Sequence, residues 1–308
     1  MDGDVSAASE AFEPLGSETR MAILEGLVAE DDGSLRPVER TFTELFETTD
    51  EGTTAGFSYH LGQLRDRYVE QTDEGYRLTY AGEQVVRQIA AGTFTESVDH
   101  EAIEVADPCP FCGETAVEAT GEDNVLTVGC AACDRDVLSL PFPPAGHATH
   151  EDEALLDAFD RHHRHRIALM ADGSCPACGG RVEGGVVLDE NRPQARLECT
   201  ACGDTLRCPA TLTLLSHPEV VAFYHEHDVD LRDRPLWNVG EEWSETVLSE
   251  DPLCVRVATS LDGDLLVLLV GRDLAVGHVE RSTVDTEAAD GETEEELDGD
   301  TGADAATA

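Results

Sequence analysis

The chain has 308 residues, of which 65 are acidic and 20 are basic, and its formal net charge at pH 7 is -45. Such acidity ordinarily argues against nucleic-acid binding and for a basic partner or a disordered chain, but a hydrophobic content of 41% excludes disorder throughout. All the basic residues are arginine. Acidic residues spread evenly over a foldable chain without lysine are typical of proteins that work in molar internal salt. There the Debye length falls to about 3 Å, so repulsion between the carboxylates is screened. Net charge alone therefore says little about partners.

No segment has the pattern of a signal peptide or a membrane span. The N-terminus, MDGDVSAASE, is polar, and the longest apolar run has only the six residues Leu265–Val270, against the roughly 20 that a spanning helix needs. We expect a cytoplasmic protein without a membrane partner. In that reducing compartment the ten cysteines are expected to be metal ligands rather than disulfides.

Residues 10–95 predict three helices, a hairpin and a fourth helix. The helix starts are marked by capping residues, namely Ser17, Thr41 with Glu44 in a capping box, Thr53 or Thr54, and Thr79. The apolar residues of the third helix, Phe57, Leu61, Leu64 and Tyr68, follow helical spacing. The segment YVEQTDEGYRLTY predicts two short strands around a turn at Asp73-Glu74-Gly75.

This order of elements is that of a winged helix-turn-helix, whose third helix enters the major groove of DNA. The predicted outward flank of that helix is small and uncharged, and includes Ser58, Tyr59 and Gln63. Residues 1–52 hold fourteen acids against three arginines, whereas residues 53–82 hold four acids against three arginines. The much lower negative charge of residues 53–82 indicates that an anionic surface lies against this segment.

Three motifs carry a resemblance to a known family: LGSETRMAIL at Leu15–Leu24, SYHLGQLRDRYV at Ser58–Val69 and YRLTYAG at Tyr76–Gly82. In this order they resemble ArsR-like winged-helix transcriptional regulators. The resemblance implies a groove-facing set and two phosphate contacts, which are Thr54, Gly56, Ser58, Tyr59 and Gln63 for the groove and Arg67 and Arg77 for phosphate. The chain departs from the metal-sensing members because no cysteine precedes Cys109. A winged helix used only for protein contacts is the alternative.

Eight of the ten cysteines form four CxxC pairs: Cys109 and Cys112, Cys130 and Cys133, Cys175 and Cys178, and Cys199 and Cys202. The pairs are separated by 17 residues in the first module and 20 in the second, a spacing typical of zinc ribbons. Four thiolates close the coordination shell, so both zinc ions are expected to be structural. Whether the ribbons also contact a partner stays open. Cys208 and Cys254 are left over, and Cys254 is expected to be a small buried residue.

The chain after residue 105 divides into four predicted segments. The first ribbon with its helix occupies residues 105–172, and the second with its helix occupies residues 173–238. Residues 240–281 alternate β-type segments and turns, which predicts an antiparallel meander. From 282 to 308 the chain carries ten acids, no basic residue and one leucine, which predicts a disordered acidic tail.

The densest positive charge is RHHRHR at Arg161–Arg166. We expect His163 to face inward and Arg161, Arg164 and His165 to point outward. Three interpretations stay open for this cluster: a solvated face paired with carboxylates, a second contact to the DNA backbone, or a histidine metal site with His225 or His227.

The sequence thus predicts an α+β protein with a winged helix-turn-helix, two zinc ribbons, a β meander and an acidic tail. No nucleophile elbow, phosphate loop or metal-hydrolase motif is present, so we do not expect an enzyme. The expected function is sequence-specific regulation of transcription, of repressor type, on double-stranded DNA in high salt. A second copy of the chain or a protein of the transcription machinery is a further candidate partner. The alternative function is a non-enzymatic adaptor that binds proteins of that machinery.

Overall fold

A computed structural model describes residues 5–31 and 34–283 of the chain. It divides into two compact units. The first contains the chain before Glu104 together with Thr120–Thr127 and Ser139–Leu155. The second contains Glu104–Ala119, Val128–Leu138 and the chain from Leu156 onward. The predicted tail lies outside the described residues beyond Thr283, and the division into five sequence segments stays a prediction.

The fold is α+β, with small antiparallel sheets, as the sequence predicts. The helices are α1 Val5–Phe12, α2 Glu18–Gly26, α3 Phe42–Glu47, α4 Thr54–Leu64, α5 Tyr80–Ala90, α6 Pro144–Thr149, α7 Asp152–Ala171 and α8 Pro218–Glu226. The strands are β1 Val28–Asp31, β2 Ser34–Pro37, β3 Val69–Gln71, β4 Tyr76–Leu78, β5 His100–Val105, β6 Val117–Glu122, β7 Val125–Cys130, β8 Arg135–Pro141, β9 Val182–Asp189, β10 Arg192–Cys199, β11 Thr205–Pro209, β12 Ser244–Glu250, β13 Leu253–Leu261, β14 Asp264–Gly271 and β15 Val276–Thr283. The sheets have the strand orders β1-β2, β3-β4, β5-β6-β7-β8, β11-β10-β9 and β12-β13-β14-β15.

Three of the predicted helix caps form in the first unit. Thr41 and Glu44 make a reciprocal capping box at the start of α3. The hydroxyl of Thr53 accepts a hydrogen bond from the amide of Gly56, and that of Thr79 does the same for Gly82. Each cap satisfies one of the free amides of a first helical turn. Ser17 occupies the cap position of α2 without a side-chain bond.

A core of apolar side chains joins helices α2 to α5 to the β3-β4 hairpin. Phe57 of α4 lies at its centre, fully buried, with the rings of Phe42 and Phe46 meeting it edge-on at 5.0 and 5.3 Å. Leu61, Leu64 and other apolar residues complete the cluster. Because α4 buries this face, its opposite face is left at the surface.

The structure differs from the sequence prediction at three places before residue 95. The helix α1 and the β1-β2 hairpin were not predicted. The helical spacing predicted a third helix through Tyr68, but α4 ends at Leu64, because Arg65 has an extended backbone (φ -60°, ψ 153°) and Asp66 after it has a left-handed φ of 69°. Tyr68 is still buried, so it joins the core from the turn that follows the helix.

The second unit contains the largest described apolar cluster. It combines residues of α7 and α8 with strands β9 to β11 and with the inner face of β13 and β14, where Val255, Val257 and Leu268 are fully buried. The predicted antiparallel meander is present as β12-β13-β14-β15. Its last strand continues to Thr283, so Ser282 and Thr283 belong to the sheet instead of the predicted tail. Among the described residues, no helix is both long and apolar enough to cross a membrane.

Candidate functional site

The eight paired cysteines form two groups of four, each positioned to hold one metal ion. Within each group all four Sγ atoms lie within 4.8 Å of one another. The groups are Cys109, Cys112, Cys130 and Cys133, and Cys175, Cys178, Cys199 and Cys202. The two CxxC pairs of the first group approach at 3.8 Å, and those of the second at 3.5 and 3.6 Å. These distances are far longer than the roughly 2.05 Å of a disulfide bond, and all of the cysteines are free.

Each cysteine pair sits in a tight turn of the same construction. In each turn the residue that follows the second cysteine donates its amide to the carbonyl of the first cysteine, as in Gly113 to Cys109 at 2.9 Å. The donor residue has a left-handed φ in all four turns, and is Gly113, Asp134, Gly179 or Gly203. Three of the four donors are glycine, which adopts this conformation without a steric cost, and aspartate is among the residues that tolerate it. The turns therefore preorganise the thiols before any metal binds.

Backbone amides also face the sulfur atoms. Burial opposes ionisation of Cys109, but hydrogen bonds from the amides of Phe111 and Cys112 prevail and lower the pKa of this thiol to about 7. Amides of Cys202 and Ala201 lower the pKa of Cys199 to about 6. Thiolates are the form that binds metal. One thiol in each group is thus prepared for ionisation near neutral pH.

The two unpaired cysteines do not belong to these groups. Cys208 is buried in β11, and burial raises the pKa of its thiol to about 12. Cys254 lies on β13 and is only half-buried, not buried as expected. Neither residue belongs to a potential metal-binding group among the described residues.

An ion pair that the sequence did not reveal borders the second group. Nη2 of Arg166, in α7, lies 2.6 Å from Oδ1 of Asp204 and 2.7 Å from the carbonyl of Thr205. The other carboxylate oxygen of Asp204 lies 4.0 Å from Sγ of Cys175. Arg166 therefore neutralises a carboxylate that faces the thiols, so Asp204 adds little negative charge beside four thiolates.

The structure pairs the arginines of the Arg161–Arg166 cluster with carboxylates. Arg161 contacts Asp157 at 2.9 Å, and Arg164 contacts Asp160 at 3.2 Å. The expectation that Arg164 points outward was wrong, because only 14% of its side chain is exposed. His163 faces inward as expected. No histidine metal group forms among the residues that the structure describes.

The sequence-predicted groove-facing residues lie on and beside α4. Thr54, Ser58, Tyr59 and Gln63 are exposed, and Gly56 is half-buried. Tyr59 is the largest side chain on this surface and is 62% exposed. At Gly62, on the same face, a Cβ atom would meet nothing within 4 Å, so the middle of the helix is open to a close approach. No residue of α4 is acidic.

Charges flank α4 at both ends. Arg65 and Arg67 are exposed just after its C-terminal end, and neither forms an ion pair with a described residue. At the other end the carboxylate of Glu51 lies 3.9 Å from Nε2 of His60. Arg77, the second predicted phosphate contact, is exposed on β4 but forms an ion pair with Glu70 across the hairpin. Its charge is therefore partly neutralised.

Comparison with known proteins gives two matches to families. Residues 106–276 match the family described as "Domain of unknown function (DUF7351)", a span of more than half the chain. Residues 8–89 match a second, described as "Domain of unknown function (DUF7347)". No curated protein and no solved structure matches the chain.

Proposed function

We propose that this chain, which belongs to the DUF7351 family, is a sequence-specific double-stranded DNA-binding regulator of transcription, of repressor type, that works in high internal salt. Its N-terminal helices and β3-β4 hairpin act as an ArsR-like winged helix-turn-helix. Helix α4 enters the major groove, and two structural zinc ions hold the cysteine modules. No catalytic role is assigned to the chain.

The observation that carries the proposal is the exposed face of α4. In a chain with a net charge of -45, this eleven-residue helix contains no carboxylate. Its exposed polar side chains are the hydroxyls of Thr54, Ser58 and Tyr59 and the amide of Gln63, which can both donate and accept hydrogen bonds. An acid-free surface of hydrogen-bonding side chains suits the edges of bases, and glutamine can bind adenine through two bonds.

High salt decides how such a helix would bind. Contacts to phosphate release counterions, so their contribution falls steeply as salt rises. With only Arg65 and Arg67 free of ion pairs among the described residues near α4, about two phosphates would be neutralised per chain, which gives a salt slope near -2. Affinity in molar KCl must then come mainly from base-edge bonds and from shape. The proposed regulator is therefore specific in sequence and weakly dependent on salt.

The thiol groups fit zinc as a structural ion. For a Zn–S distance of about 2.3 Å, a tetrahedral site has S···S edges of about 3.8 Å. The approach distances of 3.5 to 3.8 Å are close to this value in both groups. Four thiolates leave no open position for a substrate or a water molecule. In this proposal the zinc ions stabilise the fold and take no part in chemistry.

The adaptor function remains a second candidate because of the hairpin. Asp73 and Glu74 lie at its exposed tip, and Arg77 is already paired with Glu70. A hairpin of this charge would contact DNA phosphate poorly and would suit a basic protein surface better.

One experiment separates the two functions. The full chain, purified with its metal, is mixed with sheared genomic DNA in molar KCl, and retained fragments are sequenced and footprinted. The regulator is expected to protect a defined sequence, and a Ser58→Ala, Gln63→Ala double variant is expected to lose that footprint. Gln88→Ala, an exposed change on α5, serves as the matched control. No fragment enrichment, or equal binding by all three proteins, would favour the adaptor.

A further inference from the structure

The second unit contains a cavity of about 490 Å³ that none of the features above uses. It lies between α7 and α8 and the segment that follows α8, and its lining includes Arg164, Ala168, Val221, Tyr224 and Leu231. Small-molecule sites in proteins commonly have volumes of roughly 300 to 1,000 Å³ and are mostly apolar with a few polar groups. The cavity has the size and the mixed lining of such a site.

Hydrogen bonds hold part of the wall in place. The hydroxyl of Tyr224 lies 3.0 Å from Oε1 of Glu242 and 2.7 Å from Oγ1 of Thr259, so this ring is fixed by two partners. Leu231 and Leu215 are buried beside it. Because these side chains are fixed by hydrogen bonds or by packing in the core, they are not free to collapse into the space. The cavity is therefore preformed.

Arg164 provides a cationic group with unused hydrogen-bonding capacity. Its Nε and Nη2 atoms bond to Asp160 at 3.2 and 3.3 Å, and Nη2 also donates to the carbonyl of Arg234 at 2.6 Å. Nη1 makes no hydrogen bond within the described part of the chain. A guanidinium has five N–H donors in a fixed fork. The bonded atoms fix the orientation of the group, and the two Nη1 donors remain for a ligand.

The charges around the cavity differ from those of the chain as a whole. The chain has 65 acidic residues for 20 arginines, whereas the lining has two arginines and two histidines, His165 and His225, against two aspartates. One of these aspartates, Asp230, is bonded to Arg232, which is also in the lining. Arg164 is in turn bonded to Asp160, so charges of the two signs nearly balance around the cavity. It therefore opposes an anionic ligand far less than the rest of this acidic chain does, and the free Nη1 donors of Arg164 favour a ligand that accepts hydrogen bonds.

We propose that this cavity binds a small organic anion that has an apolar body and a single carboxylate. The body lies against Ala168, Val221 and Leu231, and the carboxylate accepts hydrogen bonds from Nη1 of Arg164. Charge-assisted bonds to a partly buried guanidinium are screened less by salt than bonds at the open surface. The site can therefore select for charge even in molar KCl, and it stands apart from the proposed DNA binding.

Three probes with one apolar body test the class of ligand. These are 1-naphthylacetate, its uncharged methyl ester and the cationic 1-naphthylethylamine, each titrated calorimetrically into the full metal-loaded chain in molar KCl. The acid is expected to bind at least tenfold more tightly than the ester, since a hydrogen bond from a guanidinium to a carboxylate is stronger than one to a neutral ester. The amine is expected not to bind. Equal affinity for all three probes, or no binding of the acid, would overturn the proposal.

Variants locate the site. Ala168→Phe fills the cavity from α7, and Val221→Phe fills it from α8, where the residue is 49% exposed and its replacement leaves the core intact. Either change is expected to weaken binding of the acid at least tenfold. Arg164→Lys keeps the positive charge beside Asp160 but removes the guanidinium with its Nη1 donors. It is expected to reduce the preference for the acid over the ester. His278→Gln, exposed on β15, is the control. Unchanged binding by a folded Val221→Phe variant would contradict the assignment.

Discussion

Two single variants, Cys178→Ser and Cys112→Ser, compare the two metal centres. The two cysteines are a matched pair because both are exposed. Each change removes the second thiol of a CxxC turn, so each protein is expected to retain one metal ion instead of two. The effects on stability should differ. Cys175 and Cys199 belong to the large apolar cluster that extends to β13 and β14, and the thiols of the first group do not belong to that cluster.

The expected difference in Tm between the two variants depends on how much the metal ion of the second group stabilises the fold. Structural zinc contributes roughly 10–16 kcal/mol of apparent binding free energy, as much as the whole stability of a typical domain. If Cys178→Ser costs about 5 kcal/mol, Tm should fall by about 10–20 °C for a unit of this size. Cys112→Ser should lower the same transition by less than about 5 °C, which corresponds to about 1 kcal/mol.

Tryptophan fluorescence is the suitable probe because both tryptophans of the chain lie in the second unit. Trp237 is buried, and Trp243 stacks on Tyr224 at 5.8 Å. Thermal unfolding is followed at fixed salt, and metal content is measured by elemental analysis of the same samples. Equal shifts of Tm in the two variants would refute the reasoning, as would two retained metal ions in Cys178→Ser.

Three further predictions concern the second unit. Arg166→Ala removes the ion pair beside the second cysteine group and should weaken its metal affinity by about 10–100-fold in a chelator competition, whereas Arg161→Ala should have no effect. Gly184→Ala should lower the free energy of unfolding by more than about 3 kcal/mol in denaturant titrations. The added Cβ would lie 2.0 Å from a backbone carbonyl oxygen, at a φ of +137°. The control is Gly263→Ala, which has a φ of +89° and open space around it and should cost only about 1 kcal/mol. A hydrogen bond to a backbone carbonyl and a neighbouring aspartate raise the pKa of His227 in the folded chain. Protonated His227 should therefore stabilise the fold fully below the unfolded pKa of about 6.5, and this stabilisation should be lost as pH rises through the folded pKa. His227→Gln should abolish this part of the pH dependence, and an unchanged profile would contradict it.

Local sequence signals predicted the parts of the fold that depend on local chemistry. The capping box at Thr41 and Glu44 forms because both of its members lie within one helical turn. The cysteine groups assemble because each CxxC turn fixes two thiols, and the strands between the pairs bring the turns together. In both cases the spacing along the chain determines the geometry.

The missed features depend on contacts or conformations that spacing does not specify. The helical period continues to Tyr68, yet the extended backbone of Arg65 and the left-handed one of Asp66 end α4 earlier, and the tyrosine reaches the core from a turn. Arg164 has the sequence context of a solvated residue, but a partner seventy residues away, the carbonyl of Arg234, draws it inward. The Arg166–Asp204 pair likewise joins residues 38 positions apart.

The most direct test of the central claim is to place one negative charge on the exposed face of α4. Gln63→Glu changes the charge with almost no change in shape, and Gln88→Glu on α5 is the control because it keeps the oxygen that accepts from Thr93. Both are titrated against a retained genomic fragment in molar KCl. Loss of a two-point base contact costs about 1–3 kcal/mol, so Gln63→Glu should weaken binding by about 5- to 150-fold while Gln88→Glu binds normally. Equal affinity of the two variants would contradict the account.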